Sequence, residues 1–101
     1  MVKHMILWKL KDELAGEEKA KVLAGIKENL EALSGKIPGL LAISVQTDGL
    51  LASSNADLML DSSFEDEAAL KGYAVHPEHV AVADTYVRPY TQTRLCLDYE
   101  V

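Results

Sequence analysis

The sequence predicts an α+β fold in which a four-stranded antiparallel sheet carries helices on one of its faces. Two observations support it. Segments with a strand-like alternation of side chains are interleaved with segments whose apolar residues recur every three or four positions, in the order strand, helix, strand, strand, helix, strand. A chain of 101 residues that is 49% hydrophobic has room for one core, so we expect a single domain over residues 1–101.

The first half of the chain is predicted to form a strand, a helix and a second strand. Residues 2–10 are apolar on both alternating sets, which is typical of a strand covered on both sides. Residues 17–33 carry apolar side chains at helical spacing, and Gly35 ends the helix. After a Pro-Gly turn, residues 40–47 alternate again, and this second strand ends at an Asp-Gly pair.

The second half is predicted to contain a strand, a helix, a short helix and a last strand, over residues 57–61, 62–73, 77–88 and 93–99. Ser62 and Glu65 have the spacing of a capping box, which predicts the start of the longer helix. Pro77 suits the first turn of the shorter helix. This order of elements is the split βαβ arrangement of the ferredoxin-like fold.

A ferredoxin-like sheet has helices on one face only, so its other face needs a cover. The first strand offers two apolar sets, one with Val2, Ile6 and Trp8 and the other with Met5 and Leu7. Either set is too apolar to be left in water. We therefore expect a homodimer that pairs two sheets face to face.

Composition excludes several classes of partner. Sixteen acidic residues against ten scattered basic ones give a net charge of −6, which disfavours nucleic acid. No apolar run approaches the ~18–20 residues that span a bilayer, so no membrane partner is expected. Charged residues follow the short apolar start at once, which argues against a signal peptide and favours a cytoplasmic location.

Cys96 is the only cysteine, so it cannot form an internal disulfide. In an apolar strand it is predicted to be a small buried hydrophobic residue. A catalytic thiolate is disfavoured, because a reactive cysteine needs an electropositive and partly exposed site.

Candidate site residues concentrate in residues 70–79, LKGYAVHPEH. His79 is expected in the first turn of the short helix, and Tyr73, near the end of the preceding helix, can point into the same pocket. His76 precedes a proline, so we interpret it as a structural residue that caps the short helix. His4 lies on a buried strand, where a lone histidine is more often a core residue than a ligand.

Five segments carry a resemblance to a known family: the opening VKHMILWKLKDE, the turn IPGL, the helix start SSFEDEAAL, the segment YAVHPEHVAVAD and the closing LDYE. Together they resemble the stress-responsive A/B barrel domain, a branch of the dimeric α+β barrel proteins. The resemblance covers nearly the whole chain. It implies that two chains form a barrel from eight strands, with a small-molecule cavity in each half between sheet and helices.

One plant branch of that family is a cofactor-free polyketide cyclase, which closes a linear poly-β-ketone by intramolecular aldol condensation. The resemblance implies that His79 is the base, that Tyr73 binds and polarises the substrate, and that His4 and Asp98 lie near the pocket. Trp8 is a further candidate for substrate contact, with the barrel or dimer core as its alternative place. The first helix departs from that branch, because it carries aliphatic side chains where the cyclases carry bulky aromatic ones, so the substrate does not carry over.

The chemistry of these residues fits an aldol closure. Such a reaction needs a base that removes a proton next to a carbonyl and a donor that stabilises the enolate oxygen. A neutral His79, with an ordinary pKa of about 6.5, can be that base, and a carboxylate such as Asp98 on its far nitrogen would fix its tautomer. No cofactor is expected. A zinc site of His4, His76 and His79 is disfavoured, because His76 points elsewhere.

Two other functions stay open on the sequence alone. One is a non-catalytic stress-response or ligand-binding dimer. The other, from the wider superfamily, is a cofactor-free monooxygenase that acts on an aromatic or quinone substrate, which would need the same acid–base groups.

Overall fold

The computed structural model describes residues 1–101. Its regular elements are four strands and three helices: β1 (Val2–Leu10), α1 (Gly16–Glu31), β2 (Leu40–Gln46), β3 (Leu58–Phe64), α2 (Glu67–Val75), α3 (Pro77–Val82) and β4 (Thr91–Glu100). A π-helical turn, Ala83–Val87, and a 3₁₀ turn, Arg88–Tyr90, connect α3 to β4. None of the helices combines the length and the apolar character that crossing a membrane requires.

The strands form one antiparallel sheet with the order β2-β3-β1-β4. This is the predicted ferredoxin-like topology, which the structure confirms. β1 lies in the interior of the sheet, and its residue His4 is in register with Ser62 of β3 and Asp98 of β4. β2 and β4 are the two edge strands, so β4 has a neighbour on one side only.

The hydrophobic core lies between the sheet and the helices. Ile6 and Trp8 of β1 are 4% and 5% exposed, and they pack with Ile26 and Leu30 of α1 and with Phe64 of β3. The alternation along β1 therefore turns the set with Ile6 and Trp8 towards the helices. Burial of these large apolar side chains is the main source of the stability of the fold.

The boundary between β3 and α2 differs from the prediction. β3 extends to Phe64 instead of ending at residue 61, and Asp66 is the N-cap of α2, since its carboxylate accepts the backbone N–H three residues on at 2.8 Å. Ser62 lies within β3, where its hydroxyl donates to the carbonyl oxygen of His4 at 2.8 Å. Strand pairing on both sides of β3 thus outweighs the local capping-box spacing.

The face of the sheet opposite the helices is uncovered in the single chain. We call it the open face, and its apolar residues are Met5, Leu7, Met59, Leu95, Leu97 and Tyr99. Leu95 and Leu97 are 64% and 63% exposed. Beside them Lys3 forms an ion pair with Asp61 at 2.5 Å and also donates to Ser63. The open face is therefore an apolar surface that contains one ion pair.

Candidate functional site

A cavity of about 130 Å³ lies between the sheet and the helices. β1 contributes His4, Ile6 and Trp8 to its wall, and the helical side contributes Tyr73 and His79. An open groove of about 540 Å³, between α2 and β4, shares His4 with the cavity. The structure thus brings four of the five predicted site residues to one cavity, and the fifth, Asp98, to the adjoining groove.

Tyr73 and His79 are brought together by the tight connection between α2 and α3. Pro77 is the first residue of α3, and His79 follows in the same turn, so the chain folds back onto the end of α2. The two rings stack with centroids 4.1 Å apart and an interplanar angle of 33°. The pocket pair expected from the sequence is therefore present as a direct ring contact.

The hydroxyl group of Tyr73 is buried and has no hydrogen-bond partner in the protein. Tyr73 is 1% exposed, and desolvation by this burial raises the pKa of its phenol to about 12. The phenol therefore remains protonated near neutral pH. A buried hydroxyl without a protein partner is costly, so this group is available to donate a hydrogen bond to a molecule in the cavity.

His79 is held in its neutral form. Desolvation lowers its pKa below the ordinary value of 6.5, and electrostatic repulsion from the neighbouring Arg88 and Arg94 acts in the same direction, against the carbonyl of Ala74. The Nδ1 atom lies 3.3 Å from that carbonyl oxygen, which can only accept, so Nδ1 carries the proton. The Nε2 atom of the neutral ring then holds a free lone pair, as a base requires.

His4 is buried, and its Nδ1 atom forms a hydrogen bond with the carboxylate of Asp98. Its ring also meets the ring of Tyr73 edge-on, with centroids 6.1 Å apart. Asp98 therefore forms its hydrogen bond with His4, whereas the tautomer of His79 is set by a backbone carbonyl. This arrangement differs from the expectation that Asp98 would bind His79, because β4 pairs with β1 and places Asp98 in register with His4.

His76 is a structural residue, as predicted. Its Nδ1 atom accepts the backbone N–H of Glu78 at 3.1 Å, which caps α3. This hydrogen bond keeps its ring out of the cavity wall. His79, three residues later in α3, lines the cavity instead.

The prediction of a buried Cys96 was wrong, because its side chain is exposed to the groove. β4 is an edge strand, and the helices do not cover its outer part. The Sγ atom lies 3.8 Å from Nδ1 of His4 and 3.5 Å from Oδ1 of Asp98. Partial desolvation and the neighbouring carboxylate raise the pKa of this thiol. Together the three residues offer a nitrogen, a sulfur and an oxygen that could hold a metal ion.

Sequence reasoning also missed the two arginines. The chain contains only Arg88 and Arg94, and both line the cavity. Arg88 is held by an ion pair with Asp84, one helical turn earlier. Arg94 could have been found, since it shares the alternating set of β4 with Cys96 and Asp98. The site thus combines a neutral imidazole, an unpartnered phenol and a cationic rim.

With this geometry established, comparison with known proteins identifies the family. The stress-responsive A/B barrel domain, Dabb, matches residues 2–101. The chain belongs to the Dabb family. An uncharacterised protein of Streptomyces coelicolor is 35% identical over 81 residues, which cover 80% of this Dabb chain and 81% of that protein.

Solved structures extend this result to the fold. A dimeric protein of unknown function with a ferredoxin-like fold, from Bacteroides fragilis, is 37% identical with a TM-score of 0.91, and the match covers 99% of this Dabb chain and 95% of that chain. The hydroxynitrile lyase of Passiflora edulis has a TM-score of 0.72 at 17% identity, covering 97% and 90% of the two chains, and this likeness shows the fold alone. Dimers thus occur among the structural relatives of this Dabb domain.

Proposed function

We propose that this Dabb domain binds a small carbonyl compound in its cavity and acts on it by cofactor-free acid–base chemistry of the polyketide cyclase type. One observation carries the proposal. The buried hydroxyl of Tyr73 has no protein partner, and its ring stacks at 4.1 Å on the ring of His79, a histidine held neutral. A hydrogen-bond donor and a base therefore adjoin one another at the wall of an apolar cavity.

The two groups have separate roles in the proposed reaction. Nε2 of His79 removes a proton from the carbon next to the carbonyl, and the electrons of that C–H bond become the enolate. Tyr73 donates a hydrogen bond to the enolate oxygen and keeps its own proton, because its pKa is about 12. In an aldol closure the enolate carbon then bonds to a second carbonyl carbon, and the resulting alkoxide takes the proton back from the imidazolium.

The volume of the cavity limits the size of the part of the substrate that reacts. Its volume of about 130 Å³ is similar to the ~150 Å³ apolar cavity that accepts one benzene ring in an engineered protein. The reacting portion is therefore about the size of one ring, and a longer substrate extends into the groove. Arg88 and Arg94 at the rim favour an anionic or strongly polar tail there. Ile6, Trp8 and Leu30 keep the inner wall apolar, which strengthens the electrostatic interactions of the reacting groups.

The experiment follows proton abstraction directly, so the natural substrate need not be known. Exchange of α-protons for deuterium is recorded by NMR for a panel of β-diketones and aryl ketones in D₂O, with and without the protein. We expect exchange above the buffer rate for at least one compound. His79→Gln should abolish this excess, Tyr73→Phe should lower it about tenfold or more, and the control His76→Asn, which retains a capping side chain, should leave it unchanged.

Two results would count against the proposal. Undiminished exchange with His79→Gln would remove this histidine as the base. Binding of the ketones without any exchange would instead support a non-catalytic ligand-binding dimer.

We also propose that two chains pair through their open faces. Leu95, Leu97 and Tyr99 are exposed there on an edge strand, and a relative that is 37% identical is dimeric. Leu97→Lys should convert a dimer into a folded single chain in sedimentation experiments, because it places a charge in an apolar interface. Leu51→Lys is the matched control, since Leu51 is 75% exposed in the loop between β2 and β3. A Leu97→Lys protein that remains dimeric would refute this mode of pairing.

A further inference from the structure

We propose that His4, Cys96 and Asp98 form a binding site for a divalent metal ion of the zinc type. This site lies in the groove beside β4. It does not depend on the proposed function, because Tyr73 and His79 provide none of its ligands.

The strand pairing itself assembles the three ligands. Cys96 and Asp98 are two residues apart on β4, so their side chains leave the same face of the sheet. His4 is the register partner of Asp98 on β1. The three ligand atoms therefore lie within 4.8 Å of one another on two adjacent, hydrogen-bonded strands. Ligands on paired strands are held more precisely than ligands on loops.

The distances already approach those of tetrahedral zinc coordination. With usual Zn–S, Zn–N and Zn–O bond lengths, a tetrahedron has S···N and S···O edges of about 3.6 Å and about 3.5 Å. The corresponding separations here are 3.8 Å from Sγ to Nδ1 of His4 and 3.5 Å from Sγ to Oδ1 of Asp98. The direct hydrogen bond between His4 and Asp98 has to open, to about 3.3 Å, and the ring proton of His4 has to move from Nδ1 to Nε2, so that the lone pair of Nδ1 can bind the metal ion.

The charges of the ligands also balance. A thiolate and a carboxylate carry two negative charges, which neutralise a divalent cation, and the neutral imidazole completes a set of nitrogen, sulfur and oxygen donors that suits zinc. Binding releases the thiol proton of Cys96 to solvent. The fourth position faces the groove, where Glu67, Lys71, Arg94 and Glu100 are the other charged groups. The two cations and two anions leave that surrounding close to neutral.

One ligand is fixed before the metal arrives. The side chain of His4 is 8% exposed, and the backbone carbonyl of the same residue accepts the hydroxyl of Ser62. Cys96 and Asp98 are more exposed, so a metal ion can enter from the groove. The site thus resembles a catalytic type of zinc centre, with three protein ligands and one open position.

Cobalt(II) provides the test, because it replaces zinc and reports its ligands by absorption. The reduced, tag-free protein is titrated with Co²⁺ under nitrogen. We expect one ion per chain, visible bands of a tetrahedral complex and a near-ultraviolet thiolate-to-cobalt band, all removed by Zn²⁺. Since Cys96 is the only cysteine, Cys96→Ser must abolish the thiolate band.

The other ligands are tested by Asp98→Asn and His4→Gln, each of which should weaken Co²⁺ binding at least tenfold. His76→Asn, which alters a histidine outside the cluster, should bind as the wild type does. Asp98 lies on an exposed edge strand, so its variant is expected to fold, and circular dichroism checks this. Absence of the thiolate band in the wild type, or unchanged affinity in Asp98→Asn, would overturn the proposal.

Discussion

The two faces of β1 are both apolar, but the chain covers only one of them. On the helix side Ile6 and Trp8 are 4% and 5% exposed, whereas on the open face Leu7 is 41% exposed and Leu97, on the neighbouring strand, is 63% exposed. Apolar character alone therefore does not show where a core will be. What differs is the cover, since the helices of the chain cover one face and leave the other exposed, which is the face that we propose to pair with a second chain.

The two faces also divide the polar groups. The helix face carries His4 and, across the cavity, Tyr73 and His79, while the open face carries the single ion pair of Lys3 and Asp61. The proposed chemistry therefore lies on the face that the helices cover, and the proposed dimer contact lies on the face that they leave open. The following predictions test this division, beginning with the largest effect.

Truncation on the two faces should have different consequences. Leu58 is 1% exposed on the helix face, so Leu58→Ala should lower the free energy of unfolding by about 2–5 kcal/mol, with little change in the affinity between chains. Leu95→Ala on the open face should raise the dissociation constant of the dimer about tenfold and affect the folding of the single chain little. Urea unfolding and sedimentation equilibrium measure the two quantities. If Leu95→Ala destabilised the fold as much as Leu58→Ala, the open face would be core and the division would fail.

The ion pair on the open face should matter more in the dimer than in the single chain. Asp61→Ala leaves the ammonium group of Lys3 without its carboxylate against an apolar interface, which should weaken the dimer by about 2 kcal/mol. This is less than the cost of breaking a fully buried pair, because both side chains retain some exposure. The double variant Lys3→Met/Asp61→Leu should regain or exceed wild-type affinity. A double variant as weak as Asp61→Ala would show that the pair lies outside the interface.

Much of the fold could be predicted because strand alternation and helical spacing are local signals. The bounds of β1, Val2–Leu10, agree with the predicted ones, and the alternation of β4 correctly separates Leu95 and Leu97 from Cys96. The alternation could not show which set faces the helices, because both sets of β1 are apolar. That choice depends on how the helices pack, which is a property of the whole chain.

The wrong predictions share one cause, which is that they depend on contacts between segments far apart in the sequence. Ser62 and Glu65 have capping-box spacing, but the hydroxyl of Ser62 donates to the carbonyl oxygen of His4 on β1, and Asp66 caps the helix instead. Cys96 is exposed because β4 is an edge strand, a position that only the strand order reveals. Asp98 reaches His4 for the same reason. Histidine and tyrosine in one short segment were sufficient to find the cavity, but not to assign its hydrogen bonds.

Removing the hydroxyl of Tyr73 should reduce the proposed activity without lowering the stability of the fold. Its oxygen is buried without a protein partner, so Tyr73→Phe should leave the free energy of unfolding unchanged or raise it by about 1 kcal/mol. The same change should reduce α-proton exchange, because the enolate oxygen loses its donor. Thermal and urea unfolding measure the first effect. A loss of stability in Tyr73→Phe would mean that the hydroxyl has a structural partner and is not reserved for a ligand.

The titration of His79 should produce the smallest effect. Its pKa in the folded protein is below the ordinary value of 6.5, so as the pH falls through 6.5 the unfolded chain takes up a proton at this site before the folded chain does. The unfolded state then binds more protons, and stability decreases as the pH falls. His79→Gln lacks this contribution, so the wild type should lose more stability than the variant between about pH 7.5 and about pH 5.5. Urea unfolding of both proteins at one protein concentration gives this difference. A difference of the opposite sign would mean that the fold favours a charged His79, which could not serve as the base.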